Sequence, residues 1–467
     1  MAISVNTVAE EIDTIEEEFF NTAVVDNKET KDLNIEQELM IMTTDPIKLT
    51  DSYSRRIIGM IYEPLFNMDS RGKITPNLVE EYKWNDPNKL YIKLKPNIKF
   101  HNGKTLTSKD VEFSLNRLKE DGVVTDIYES IIGVEIIDDL SFVINLKSKD
   151  NQLLTALTNS AASIVCEDNG ILYGTGPYSI DVINFGTLKL KKFNDYHGDE
   201  KTPYNSIEIR WELNPNQRLI KYMNGENQIV FDMYEEDISR AKNLGLLDEE
   251  TIIKSGKIYD SIALMFNDKK YSLVQRKAIN DALEEKAETF FPEELLKANL
   301  SRTDKNYDLS KVKNELKESG LEDKEINIML LNSEHNMKIA EKVKKNLEKL
   351  GLKVNIYPHN LISFYQKLYS RNYDIALYNI NISGMYPILS LEKIILSDIG
   401  DKEVAGALLP FLELIKKENN PQKANKIFDK VLSLIQKNNL YIPIEHRATY
   451  YLGEEKNIDN FEKIVGY

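Results

Sequence analysis

Hydrophobic and polar positions alternate most regularly between residues 326 and 379, where short apolar runs take turns with helical stripes. Ile326–Leu331 reads as an apolar strand. Ser333–Leu350 reads as a helix with Ala340, Val343, Leu347 and Leu350 facing inward and Gly351 as its stop. Lys353–Tyr357 is a second strand, Ser363–Ser370 a shorter helix, and Tyr373–Asn379 a third strand. This β-α-β-α-β order predicts a parallel sheet with right-handed crossovers. Ligands of open α/β sheets sit beyond the carboxyl ends of the strands, so the following segment, Asn379 to Pro387, is a candidate ligand wall.

The same texture extends in both directions. Leu39-Met40-Ile41-Met42 reads as a short strand ended by Asp45-Pro46. Thr107–Glu120 reads as a helix, with Thr107 and Asp110 as a capping box and Val111, Leu115 and Leu118 on one face. Strand-like runs follow at Ser141–Leu146 and Thr187–Leu190. Helices are predicted over Lys402–Lys417 and Pro421–Lys437, and an extended run over Leu440–Tyr451. The first 35 residues differ. They hold nine acids and two bases, nearly half of a net charge of −15. Val8, Ile12, Ile15 and Phe19 form one stripe behind a Thr7/Glu10 capping box, which predicts a short amphipathic helix followed by a solvated linker to about Asn34.

Charge and composition narrow the chemistry. A net acidic chain lacks the basic face that phosphate backbones require, so nucleic acid is not an expected partner. The longest apolar stretch, Val404–Leu412, is nine residues and is interrupted by Gly406 and Pro410, well short of the ~18 needed to span a bilayer. Cys166 is the only cysteine, so no internal disulfide or cysteine-based metal cluster is possible. The five histidines (His101, His197, His335, His359 and His446) show no metal-ligand spacing. No G-x-S-x-G elbow, P-loop or G-x-G-x-x-G is present. Gly174-Thr175-Gly176-Pro177 reads as a rigid turn, because Pro177 offers no amide to a phosphate. No catalytic residue, metal or cofactor is expected, and the chain reads as a binder rather than an enzyme.

A set of spaced motifs makes the reading specific. Thr44-Asp45-Pro46 precedes Tyr62-Glu63-Pro64-Leu65, then Gly72-Lys73-Ile74-Thr75-Pro76-Asn77-Leu78 and Phe100-His101-Asn102-Gly103-Lys104-Thr105-Leu106-Thr107. Asp110-Val111-Glu112-Phe113-Ser114, Gly174 to Tyr178, Asn194-Asp195-Tyr196, Phe266-Asn267, Arg276-Lys277-Ala278 and Ile442-Pro443-Ile444 continue it. Over roughly residues 38–465 the chain resembles the family 5 extracellular solute-binding proteins, the oligopeptide- and dipeptide-binding components of ABC importers.

The resemblance implies an α/β, two-lobed clamshell of the class II periplasmic-binding-protein type with an extra subdomain. It maps lobe I to 36–47, 166–260 and 442–467, the inserted subdomain to 48–165, and lobe II to 261–441, behind an acidic arm at 1–35. Partners implied are a peptide or small polar ligand and an ABC permease. The protein is expected to be a monomer on the outer face of the membrane, tethered by a leader or anchor not present in this sequence. The motif residues read as structural: Gly103 and Gly174 as turns needing a permissive backbone, Phe100 and Phe113 as core, and His101 as part of a turn.

The resemblance also defines the candidate site. Relatives carry a Trp and, three residues later, an Asp that pairs with the peptide amino group; here those positions are Ile380 and Ser383. Asn379, Asn381, Ser383 and Tyr386 therefore suggest a neutral polar wall, joined by Thr43, Phe266 and Asn267. Glu445 and Arg447, after Ile442-Pro443-Ile444, are candidates to face the cleft, with Glu445 as a substitute acid. A degenerate receptor or scaffold, or a sugar-like ligand, is the alternative to peptide capture.

Overall fold

A computed structural model of the chain describes residues 32–465, apart from 50, 70–71, 123–127, 185, 199–202, 288, 290, 293–308, 322–323, 384–387, 389, 392–393, 396–401 and 419. The amphipathic helix and most of the acidic arm expected at the start lie outside the described residues.

Ten strands build one large sheet. In chain order they are β1 (Asp32–Gln37), β2 (Tyr178–Ile183), β3 (Thr187–Lys192), β4 (Ser206–Trp211), β5 (Ile229–Met233), β6 (Thr251–Phe266), β7 (Glu325–Leu331), β8 (Lys353–His359), β9 (Ile375–Ser383) and β10 (Tyr441–Glu454). Their spatial order is β2-β3-β4-β1-β5-β10-β6-β9-β7-β8. β1 is parallel to both β4 and β5, and β7 is parallel to both β8 and β9. The β-α-β-α-β stretch read from the sequence is thus one end of this sheet. The helices used below are α1 (Ser52–Ile61), α2 (Ser108–Asp121), α3 (Pro215–Met223), α4 (Glu235–Asn243), α5 (Glu334–Glu348), α6 (Leu361–Tyr369), α7 (Lys402–Lys417) and α8 (Pro421–Lys437).

Two apolar layers sandwich the β9-β7-β8 end. One contains Ile339, Val343 and Leu347 of α5 against Ile326, Ile328 and Leu330 of β7. The other contains Phe364 of α6, Leu408 and Leu412 of α7, and Phe428, Val431 and Leu432 of α8. A strand covered on both faces reads as a near-continuous apolar run, which is why β7 is so legible in the sequence. The α5 boundaries follow from local chemistry: Ser333 Oγ accepts the Asn336 N–H at 3.2 Å, and Gly351 takes φ +89° where the chain turns back. Residues 79–86, 89–94, 131–136 and 141–146 form a separate four-stranded antiparallel sheet that shares a core with α2.

β6 and β10 are 16 and 14 residues long, and they join the two halves of the big sheet. β10 pairs with β5 through Ile229↔Gly453 and Met233↔Tyr450, and β6 pairs with β9 from Ile258↔Ser383 to Phe266↔Ile375. The β6/β10 register slips between Ser255 and Tyr259 and again between Ile262 and Ala263.

Three expectations are corrected. Leu39–Met42 is not a strand; the strand is β1, just upstream, and it takes in residues 32–35 that composition assigned to the linker. Its acidic look is misleading, because Leu33 and Ile35 are wholly buried and Glu36 is buried with them. Lys221 Nζ at 2.7 Å and Asn227 Nδ2 at 2.9 Å satisfy the Glu36 carboxylate. The third strand of the parallel unit runs to Ser383, so Asn379–Ser383 belong to a strand rather than to a loop. Phe113 is 38% exposed and not core, whereas Phe100 is fully buried.

The family-like motifs meet at one buried carboxylate. Glu63, 4% exposed, accepts from Thr175 Oγ1 (2.9 Å) and Tyr196 Oη (3.0 Å) and lies 2.8 Å from His197 Nε2. Gly174 and Gly176 let this loop press on the end of α1. A Cβ at Gly174 would stand 2.1 Å from the Ile61 carbonyl oxygen, so this glycine is required for space rather than for a positive φ. Glu63→Ala strands three donors in a buried site and is expected to cost roughly 3 kcal/mol, read as a lower urea midpoint. Glu63→Gln should lose less, and a wild-type midpoint for the alanine variant would refute the role.

Candidate functional site

A cavity of about 1200 Å³ opens between the two halves of the sheet. One wall comes from the 38–42 turn, Tyr53 of α1, the start of α3, and Tyr234 to Arg240 on α4. The opposite wall comes from the amino end of α5 (Ser333–Asn336) and from α6 (Leu361, Phe364, Tyr365, Leu368 and Tyr369). The floor is sheet: Met265 and Phe266 of β6, Leu377 to Ile380 of β9, and Tyr441, Glu445 and Arg447 of β10.

The sequence-derived residues divide accordingly. Phe266, Asn379, Ile380, Glu445 and Arg447 line the cavity. Ile380 is 3% exposed and also packs with Ile382 and Leu391 in the α6–α8 layer. Asn267 is buried away from the cavity, and its amide donates to the Arg371 and Tyr373 carbonyls, each at 3.0 Å. Thr43 shapes a turn outside the lining: its Oγ1 accepts the Asp45 N–H at 2.9 Å. Asn381 and Ser383 belong to β9, paired through their backbones with Asp260 and Ile258. Tyr386 lies outside the described residues.

At the sheet floor, an arginine, two glutamates, a histidine and one tyrosine ring interlock. The Arg447 guanidinium, 8% exposed, lies over the Tyr234 ring at 3.3 Å. It donates to Glu236 on α4 and approaches Glu445 at 3.5 Å. His335, the second residue of α5, places Nε2 3.2 Å from Glu445 and Nδ1 3.6 Å from Glu236, and its ring lies nearly parallel to Tyr234. Each contribution has a local cause. Glu236 sits in the first turn of α4, where the helix dipole favours acids. Glu445 and Arg447 are two apart on β10, so both project from one face. The neighbouring His335 ring, and after it the Arg447 guanidinium, hold Glu445 below the ordinary glutamate range, against the opposing effect of burial. The cluster thus connects the α4 wall, the α5 wall and the floor.

The α6 wall is aromatic. Tyr365 and Tyr369 stack with ring centroids 5.9 Å apart, and Tyr369 is 74% exposed. The i, i+4 spacing of these tyrosines was the available signal for this face. Tyr234, Glu236 and His335 carried none, because only the fold brings them together. Among the described residues no three His, Cys, Asp or Glu side chains are gathered to hold a metal ion, and no helix is long and apolar enough to cross a membrane.

Comparison with known proteins agrees with this geometry. The family model for bacterial extracellular solute-binding proteins, family 5, matches residues 73–394. A glutathione-binding protein of Pectobacterium atrosepticum is 27% identical over 232 residues, 46% of this chain and 44% of the relative. A nickel-binding protein of Staphylococcus aureus is 30% identical over 240 residues, 49% of this chain and 48% of the relative. The chain spans about half the length of the curated relatives it matches. Among solved structures, the periplasmic binding protein DppA of Helicobacter pylori in complex with the peptide STSA superposes with a TM-score of 0.80 at 20% identity. That match covers 91% of this chain and 94% of the other. The oligopeptide-binding protein AppA of Bacillus subtilis, in complex with a nonapeptide, gives a TM-score of 0.76 at 19% identity over 92% and 98% of the two chains. The fold is therefore the two-lobed binding-protein clamshell, and the family match is to extracellular solute-binding proteins.

The cluster predicts an acid response. A depressed carboxylate contributes stability that is complete above the ordinary glutamate range and is lost as pH falls through its lowered value. His335→Gln removes the main cause of the depression, so thermal melts between pH 3 and 6 should show stability failing at a higher pH than in the wild type. Superimposable acid limbs would count against the assignment.

Proposed function

The chain belongs to the bacterial extracellular solute-binding proteins of family 5, and from that premise we propose that it captures a peptide or peptide-like ligand in the interlobe cleft and presents it to an ABC permease. The observation that carries this reading is the cavity itself. About 1200 Å³ exceeds the ~300–1,000 Å³ usual for drug-sized ligands, and its walls are contributed by both halves of the sheet. A flexible ligand that fills such a space is extended and carries many amides, which suits Asn379, Asn332 and Ser333 at its edge.

The mechanism is closure rather than turnover. Two strands, β6 and β10, connect the halves, and their register slips are the natural places for rotation. A ligand that touches both walls favours the closed arrangement by its differential contacts. The contacts of Glu236 with Arg447 and His335 then close with it. In this reading ATP hydrolysis happens in the partner, and the chain works as a monomer at the outer face of the membrane, held by a leader or anchor. The lobes and inserted subdomain follow the division drawn from the sequence, with residues 32–35 added to lobe I.

Native mass spectrometry of the purified protein, beside a sample stripped by unfolding and refolding, tests the proposal. A discrete set of adducts that disappears on stripping and fragments as peptides is expected. Stripped protein that stays bare when offered a mixed peptide library, with an unchanged radius of gyration in small-angle scattering, would favour the receptor reading instead.

A further inference from the structure

We infer that the cleft leaves its ligand's carboxyl terminus unread, and that it takes neutral or basic peptides with bulky apolar side chains in preference to anionic ones. This inference rests on the peptide reading above. Among the described residues the lining carries seven carboxylates against five arginines and lysines, so an added anion meets a net negative field. More decisive is the state of the five cations.

Arg447 is held by Glu236, Glu445 and the face of Tyr234. Arg371 is paired with Asp268 on the β6 side of the cleft. Arg240 donates to Asp237 at 2.5 Å. Arg218 has no carboxylate, but it is 1% exposed, and its Nη atoms donate to the Glu212, Leu213 and Asp232 carbonyls. It is out of a ligand's reach unless the wall moves. Lys338 stands at the rim, 66% exposed and bonded to Glu334 at 2.5 Å, where water screens its charge.

A terminal carboxylate entering the cleft would have to displace one of the protein's own acids. The displaced acid would then sit in the same partly desolvated space without its partner, so the exchange gains nothing. The apolar surfaces point the other way. Tyr369, 74% exposed, on one rim and Leu213, 57% exposed, on the other present aromatic and aliphatic surface to the cleft. Burial of such side chains depends on area and not on how the chain ends.

The test is a competition read by native mass spectrometry on the stripped full-length protein. The probe is an equimolar set of synthetic pentapeptides, each made both as the free acid and as the carboxyl-terminal amide, with glutathione as the anionic comparator. The expected result is acid and amide occupancies within threefold of each other, apolar and basic members dominant, and no glutathione adduct. A preference for the acids of more than threefold, or a glutathione adduct at comparable occupancy, overturns the inference while leaving peptide binding intact. Absence of any peptide adduct overturns the peptide reading and this inference with it.

Releasing a cation supplies the second arm. Asp268→Asn removes the acid paired with Arg371 and should raise the share of acids over amides at least threefold. The double variant Glu236→Gln/Glu445→Gln, which removes both acids paired with Arg447, serves the same purpose if the first variant proves unstable. A correctly folded variant of either kind with no new preference would show that internal pairing is not what silences these groups.

Discussion

Two long strands, β6 and β10, pair antiparallel across the middle of the ten-stranded sheet, and the rest of the architecture depends on that pairing. The 450–453 end of β10 carries β5, and through it the parallel strands β1 and β4. The 258–266 part of β6 carries β9, and through it β7 and β8. Cutting the sheet anywhere else would remove one lobe's edge, whereas cutting here would separate the lobes. Since backbone groups buried without partners are costly, these strands hold the two halves together through a continuous ladder interrupted only at the register slips.

The same economy governs the charges. The chain is strongly acidic overall, and three of its buried carboxylates have closely matched donors. Glu36 has Lys221 and Asn227, and Glu63 has Thr175, Tyr196 and His197. Asp232, at φ +61°, holds Arg56 at 2.8 Å while that guanidinium covers the Phe231 ring at 3.9 Å. These nodes lie where β1, β5 and α1 converge beneath the cleft wall. A buried ion pair is poor evidence for net stability, but it specifies which atoms must meet. Here that fixes α1, and with it Tyr53, against the sheet.

The cleft applies the same logic to a ligand. Its arginines are turned toward the protein's own acids and carbonyls, so they shape the walls more than they offer charge. What remains for the ligand is aromatic and aliphatic surface on α6, amide-bearing side chains at the edge, and sheet floor. Ile380 fits this pattern, since it brings an aliphatic side chain to the floor.

Local chemistry was readable without the fold. The capping box at Thr107 and Asp110, the stop at Gly351, the doubly buried run of β7 and the full extents of α7 and α8 depend only on neighbours within a few residues, so the sequence by itself determined them. The spaced motifs determined the family and hence the clamshell. Other features required contacts between distant segments. β1 looked like an acidic linker because the partners of Glu36 lie 185 and 191 residues away. β9 looked like a strand ending at Asn379 because nothing local announces that β6 will pair with it as far as Ser383. His335 showed no partner in sequence, yet it meets Glu236 and Glu445 once α4, α5 and β10 converge. Only the tertiary structure decided these features, because the free energy of a buried charge or a strand edge depends on what lies across from it in space.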